Sequence, residues 1–240
     1  MLTDQMAAVL ALLGAGGGGR PGTNPVPAAA QAAAACLGVD EICAAVAIAT
    51  GGTVHTWGGK KTSAALEDAQ FTLGEGPSVA ALSSGSAVLV PDLSDAVERW
   101  PGFAPAALDL GVGAVFAVPL QVGAISVGVL LAHRGAPGPL SLGQLADALA
   151  LADAVTVLVL HCAPLTRDPA DAGRTRPQPG WEQPPAYRAE VHQATGVLSV
   201  QLNVPLSEAL LLLRAHAYST GRPISEVAAD VVAHRIHVKD

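Results

Sequence analysis

From residue 186 onward the chain gathers the side chains best suited to gripping a polyanion. They are Arg188, Arg214, Arg222 and Arg235, with His192, His216, His234 and His237, and the last tyrosine, Tyr218. A guanidinium is a permanent planar cation that holds oxyanions through paired N–H groups and stacks on flat rings. The excess acid lies elsewhere. Of the net charge of −7, residues 1–185 hold eight Lys/Arg against fifteen Asp/Glu, while in the tail five of each cancel. A polyanion-binding surface therefore belongs to the tail, and its neutral sum makes the attraction local rather than long-range.

Other chemistries find no support. Ser63, Ser78 and Ser83 lack the G-x-S-x-G setting of a nucleophile, and no HExxH or Cys-His pair has a recognisable spacing. His55 and His133 fall on expected strands and read as structural. Cys36, Cys43 and Cys162 sit among apolar residues without a CxxC pair, so they read as packing groups. The glycine run GAGGGGRPGTN is followed by no GK[ST] and contains no strand-to-helix GxGxxG, so it reads as a loop and no nucleotide cofactor is expected. No catalytic residue, metal or cofactor is assigned. No apolar run reaches the roughly 18 residues of a membrane span, and residues 1–20 lack a basic start and cleavage site, so a cytoplasmic protein without membrane contact is expected.

The elements that position these groups follow from periodicity. Thr3–Leu13 and Val26–Leu37 read as helices, and 41–50 as a buried strand turned by Gly51-Gly52 into the alternating strand 53–57. Strands are also expected at 86–92, 114–122 and 125–133, the last two joined at Gly123-Ala124. Gly74 and Gly76 around Glu75, before Pro77, make a tight turn that launches a helix. Residues 141–162 form a long helix with Leu142, Leu145, Leu149, Ala152, Val155 and Leu158 on one stripe. Residues 164–185 are proline-rich and aperiodic, a semi-rigid spacer. Beyond it, 187–202, 207–220 and 224–236 have the apolar stripes of a small three-helix bundle, with Ser207-Glu208 starting the second helix and Gly221 ending it. The fold class is α+β: an antiparallel sheet domain at 1–163, a linker at 164–185 and an all-α domain at 186–240.

Two families share these motifs. LGEGPSVAAL (73–82), VLVPDL (88–93), RWPGF (99–103) and GVGAVFAVPLQVGAISVGVLLAHR (111–134) resemble a GAF domain over about residues 25–162. The resemblance implies a sensory fold with a six-stranded antiparallel sheet, helices on one face and, on the other, loops that close over a small ligand. On that reading Glu75, Ser78 and Trp100 are candidate ligand contacts. The stretch around Glu75 also reads as a structural turn, and Trp100, with Pro101 and Phe103, as a plug at one end of the core. Relatives often carry a cysteine at the position of Ser78, which speaks against a thiol sensor there.

The tail is similar to an ANTAR domain through the Ala194-x-Gly196 step, Ala209 with Leu213 and Arg214, Ala217-Tyr218 and Val227-Ala228. Thr195 departs from the lysine common between that alanine and glycine. The resemblance implies a regulator that binds hairpins in nascent mRNA leaders and favours antitermination. The candidate RNA-binding residues are Arg188, His192, Thr195, Gly196, Arg214, Tyr218, Arg222 and Arg235. Implied partners are RNA, a second copy in a homodimer seamed by the long helix, a small-molecule ligand in the GAF domain, and the transcription machinery. The competing reading is a dimeric GAF-domain adaptor whose tail docks a protein through its leucines, without RNA.

Overall fold

The computed structural model describes residues 3–15, 26–47, 53–162, 181–182 and 186–236. Strand β1 (Glu41–Ala47) pairs antiparallel with β2 (Thr53–Gly58) on one edge and with β5 (Ile125–Arg134) on the other. β4 (Ala114–Val122) joins β5 across the Gly123 turn, and β3 (Val88–Val90) flanks β4. The sixth strand, β6 (Trp181–Glu182), lies on β2 and gives the order β3-β4-β5-β1-β2-β6. The expected six-stranded antiparallel sheet is present, with one difference. Its last strand comes from the segment read as a spacer, Trp181 pairing with Trp57 and Glu182 with Thr56. That end of the spacer is tied to the sheet by backbone pairing. Most of the glycine run, the Gly51-Gly52 turn and residues 164–180 lie outside the described residues.

Alternation along the strands sends Ile42, Ala44, Phe116, Val118 and Leu130 to one face, and Cys43, Ala45, Val115, Ala117 and Leu131 to the other. Helices α1 (Asp4–Ala15), α2 (Val26–Leu37) and α6 (Leu142–Cys162) cover the first face. The second is covered by α3 (Lys61–Leu73), α4 (Pro77–Ser84), a 3-10 turn at Leu93–Ala96 and α5 (Phe103–Asp109). Helices on one face and loops on the other were expected. Both faces carry helices, because both are apolar and each must be shielded from water. Between α3 and α4 the turn forms as the glycines suggest: Gly74 closes α3 at φ 70°, Gly76 takes φ 124°, and Pro77 begins α4.

The expectation that no apolar run is as long as a membrane span is corrected by α6. Residues 142–160 are long and apolar enough to cross a membrane by length and composition, with a mean hydropathy of 1.6. In the fold, this helix buries Ala148, Leu151, Ala152, Val155 and Val159 against the sheet and turns Leu142 and Leu149 outward. The single stripe read from the sequence is thus divided between two faces, as happens when a helix is apolar nearly all round.

The tail forms α7 (Ala186–Leu202), α8 (Leu206–Thr220) and α9 (Ile224–Val232) around Val191, Leu198, Leu210, Leu213, Val227 and Val231. Two helix ends differ from expectation. α8 begins at Leu206 behind an extended Pro205 instead of at Ser207. α9 ends at Val232 instead of Ile236, because His234 takes φ 56° and the Arg235 N–H turns back onto the Asp230 carbonyl.

One buried acid anchors the first helix. Asp147 of α6 is fully buried and accepts hydrogen bonds from the Thr3 backbone N–H (3.1 Å) and hydroxyl (2.7 Å), while the Thr3 hydroxyl accepts from Met6 N–H. Asp147→Ala leaves those donors without this acceptor and is expected to cost about 1–3 kcal/mol. Urea unfolding measures the loss, and amide exchange should rise first in residues 4–15; unchanged exchange there contradicts the assignment.

Candidate nucleic-acid interface

The arginines singled out in the tail do not all point to water. Arg188, on the first turn of α7, is 3% exposed and donates to Asp68 Oδ1 of α3 from both Nη2 (2.8 Å) and Nε (3.2 Å). Its guanidinium lies 4.8 Å from the centre of the Phe71 ring. Burial disfavours the charge, but the Tyr187 hydroxyl and the Asp68 carboxylate more than offset this, so the Arg188 pKa is raised. Arg214 of α8 reaches the same ring, 5.7 Å from its centre, and donates from Nη2 to the Phe71 carbonyl at the C-terminal end of α3. A cation there complements the negative end of the helix dipole. No carboxylate pairs with Arg214 among the described residues, its Nε is buried without a hydrogen bond, and burial lowers its pKa to about 10. Gly74 suits this junction by its left-handed φ of 70°, and a Cβ there would stand 2.8 Å from Arg214 Nη1 and push the guanidinium aside.

Phe71 therefore belongs to the tail's core as much as to its own domain. It packs edge-on to Tyr187 (6.5 Å) and to His192 (5.7 Å). His192 is half-buried, and its pKa is lowered by burial and then by the charges of Arg188 and Arg214. Arg188, His192 and Arg214 thus converge on one face, and that face is docked on α3. Sequence reasoning missed Asp68 and Phe71. Their spacing of three places both on one face of α3, yet nothing local says what that face meets.

The remaining tail residues divide differently. Thr195 is fully buried and its hydroxyl donates to the Val191 carbonyl one turn back, so it drops out of any contact surface in this structure. Gly196 is half-exposed, and an added Cβ would meet nothing within 4 Å. Tyr218 is 86% exposed on α8. Arg222 and Arg235 both bond Asp230, at 2.7 Å each, and Arg222 also approaches Glu226 at 3.6 Å. These pairs brace α9 against the chain on either side of it and partly neutralise its cations.

In the sheet domain the candidate ligand residues all bond to protein. Glu75 Oε1 accepts from the N–H groups of Gly102 (2.7 Å) and Phe103 (2.8 Å), capping α5. Ser78 is buried, donating to Glu67 Oε1 (2.8 Å) and receiving Gln70 Nε2 (3.0 Å). Trp100 is buried edge-on to Phe103 at 6.3 Å with the Arg99 guanidinium 4.4 Å from its ring, which is the plug reading. The structure does not bring these three to one open site. Ser63 Oγ lies 3.0 Å from His133 Nε2 and donates to Glu41 Oε2 at 2.7 Å. Glu41 approaches the same Nε2 at 3.5 Å, on the serine side of the imidazole instead of behind it, and Ser63 is buried, so the trio lacks the ordered serine–base–orienter chain of a nucleophile. Among the described residues no group of three His, Cys, Asp or Glu side chains is placed to hold a metal.

Residues 183–232 match the family model of the ANTAR domain. No curated protein matches the chain. Among solved structures, the N-terminal part is similar to the GAF domain of a phosphoenolpyruvate-protein phosphotransferase from Acinetobacter, at 11% identity over 69% of this chain and 99% of that one, TM-score 0.48. It is also similar to the GAF domain of the corresponding protein from Coxiella burnetii, at 14% identity over 66% and 96%, TM-score 0.46.

The docked face carries a pH dependence of defined sign. His192 binds its proton less readily in the docked structure than at its ordinary pKa of 6.5. The docked state therefore keeps this contribution above that value and loses it as the pH falls. Urea stability of the full chain should fall more steeply between about pH 7 and pH 5 in the wild type than in His192→Gln; equal slopes refute the assignment.

Proposed function

We propose that this chain, which carries an ANTAR domain at residues 183–232 behind a GAF-like sheet domain, is a cytoplasmic, signal-responsive RNA-binding regulator of transcription termination. ANTAR domains are modules of RNA-binding antitermination regulators, and GAF domains are sensor modules. The observation that carries the reading is the ANTAR match realised as a three-helix bundle that presents Tyr218 fully to solvent on α8. An exposed tyrosine on a small bundle is suited to stacking on an unpaired loop base, the part of RNA that proteins read by contact.

Gly196 supports it. A glycine in a helix interior costs about 1 kcal/mol relative to alanine, and packing does not require one here because the space above it is open. One turn beyond His192 on α7, it leaves room for a phosphate backbone to approach the helix closely. Arg188 and Arg214 then supply cationic contacts along the same side, with the His192 ring between them on the chain, and Arg222 and Arg235 supply further ones at the α9 end. Dimerisation along α6, whose Leu142 and Leu149 face outward, places two bundles on one two-hairpin target and raises the effective concentration of the second contact. Regulation of termination makes the transcription machinery the downstream partner, and the sheet domain receives a small-molecule signal.

A second reading has one observation in its favour. Leu211 is 63% exposed on α8, seven residues from Tyr218 and on the same side, an apolar patch that a protein partner would cover. RNA binding separates the two. The full chain, as wild type and as Asp68→Asn, which loosens the contact with α3, is titrated into a two-hairpin leader RNA across salt. Retention should weaken linearly with log salt, and Tyr218→Ala should weaken it by about 1–3 kcal/mol. Retention of no stem-loop at low salt by either chain overturns the proposal in favour of the adaptor. Gly196→Ala should raise stability to denaturant by about 1 kcal/mol while lowering RNA affinity; a gain in stability with unchanged affinity assigns the glycine no part in binding.

A further inference from the structure

The contacts that hold the tail on α3 are those a guanidinium makes with a nucleotide. Arg188 donates twice to a carboxylate oxygen of Asp68 and lies over the face of Phe71. Arg214 approaches that ring and donates to a carbonyl beside it. A planar ring and an oxyanion, one helical turn apart, present to these arginines what a base and its phosphate would present. We propose that α3 is an intramolecular stand-in for RNA: Asp68 occupies the place of a phosphate and Phe71 that of a stacked base, so sensor helix and RNA exclude each other from one face of the bundle. This deepens the RNA-binding reading and rests on it.

The docked contact is poised to open. Arg214 is partly buried without an acid, its Nε has no hydrogen bond, and the carbonyl it holds is neutral, a weaker acceptor than a phosphate oxygen. An RNA phosphate would complete what α3 leaves incomplete, so the exchange of one for the other costs the tail little.

The same helix is fixed to the sensor's interior. Leu66 is buried against the second face of the sheet, Ser63 bonds Glu41 and His133 on β1 and β5, and the buried Glu67 and Gln70 bond Ser78 of α4. Asp68 follows Glu67 directly, so a rearrangement on that face moves the residues that hold the tail. The polarity follows: a signal that displaces α3 opens the face, and RNA that binds first displaces α3.

The test uses the full chain and a two-hairpin leader RNA. Asp68 is partly exposed, so Asp68→Asn removes the charge with little effect on packing, and Phe71→Ala removes the ring. Each should bind RNA about tenfold or more tightly than the wild type, within the range of ordinary coupling between sites. Circular dichroism reports whether the Phe71→Ala chain is folded, and Asp68→Asn alone suffices if it is not. In the wild type, saturating RNA should speed amide exchange in residues 61–73. Equal affinity of wild type and folded variants, or exchange in α3 unchanged by bound RNA, overturns this proposal and leaves the RNA-binding function standing. Failure of all chains to bind overturns both.

Discussion

Two guanidinium groups meet on one phenylalanine, and the relation of the two domains depends on that meeting. Phe71 belongs by chain to the sheet domain and by packing to the bundle. A ring approached by two guanidinium groups gains cation–π attraction from each, worth about 0.5–2 kcal/mol as water is excluded. Asp68 adds a charge-assisted bond to the buried member of the pair. Arg214, left without an acid and with its Nε unbonded, offsets part of that attraction. A fully satisfied interface would lock the tail, and an apolar one would give a polyanion nothing to compete for.

The rigidity of α3 makes the contact informative. Its inner side carries Ser63, Leu66, Glu67 and Gln70, every one buried, and its outer side carries Asp68 and Phe71. Glu67 is buried enough that desolvation raises its pKa, against the lowering effect of the Ser78 hydroxyl and of Arg188 beyond it. Interior and interface are therefore coupled electrostatically across the width of one helix. Gly74 ends α3 in the left-handed conformation, and Gly76 and Pro77 begin α4 two residues on.

Local rules made most of the fold legible. Apolar runs bounded by turn residues located β1, β4 and β5, and the Gly-Glu-Gly-Pro turn has the backbone those residues demand. The apolar stripes located the three tail helices. What stayed hidden depends on distant partners. Thr195 reads as a polar position in a binding motif, yet its hydroxyl is satisfied within its own helix. Glu75 reads as a ligand contact, yet it caps a helix 27 residues away. The two faces of α6 are indistinguishable by periodicity because both are apolar. β6 hides in a proline-rich stretch because two paired residues leave no pattern. Of the candidate site, the cations were legible by type, and their partners on α3 were not.

Charge is divided unevenly between the two halves of the chain. All the net negative charge of the chain lies before residue 186, and the tail sums to zero. Docked, Asp68 stabilises the charge of Arg188, while Arg214 is covered without an acid. Open, the acidic domain would repel any RNA held by the same arginines, since a field of that sign extends about 8 Å at physiological ionic strength. A bundle that uses its cations in both states must move beyond that range when it changes partners. The proline-rich composition of residues 164–185 suits an extended spacer able to hold that distance, roughly 3.1 Å per residue where the chain is polyproline-like. The strand at Trp181–Glu182 limits the reach, because pairing with β2 keeps the start of α7 beside the sheet. Two paired positions add few backbone hydrogen bonds to those that hold the tail on α3.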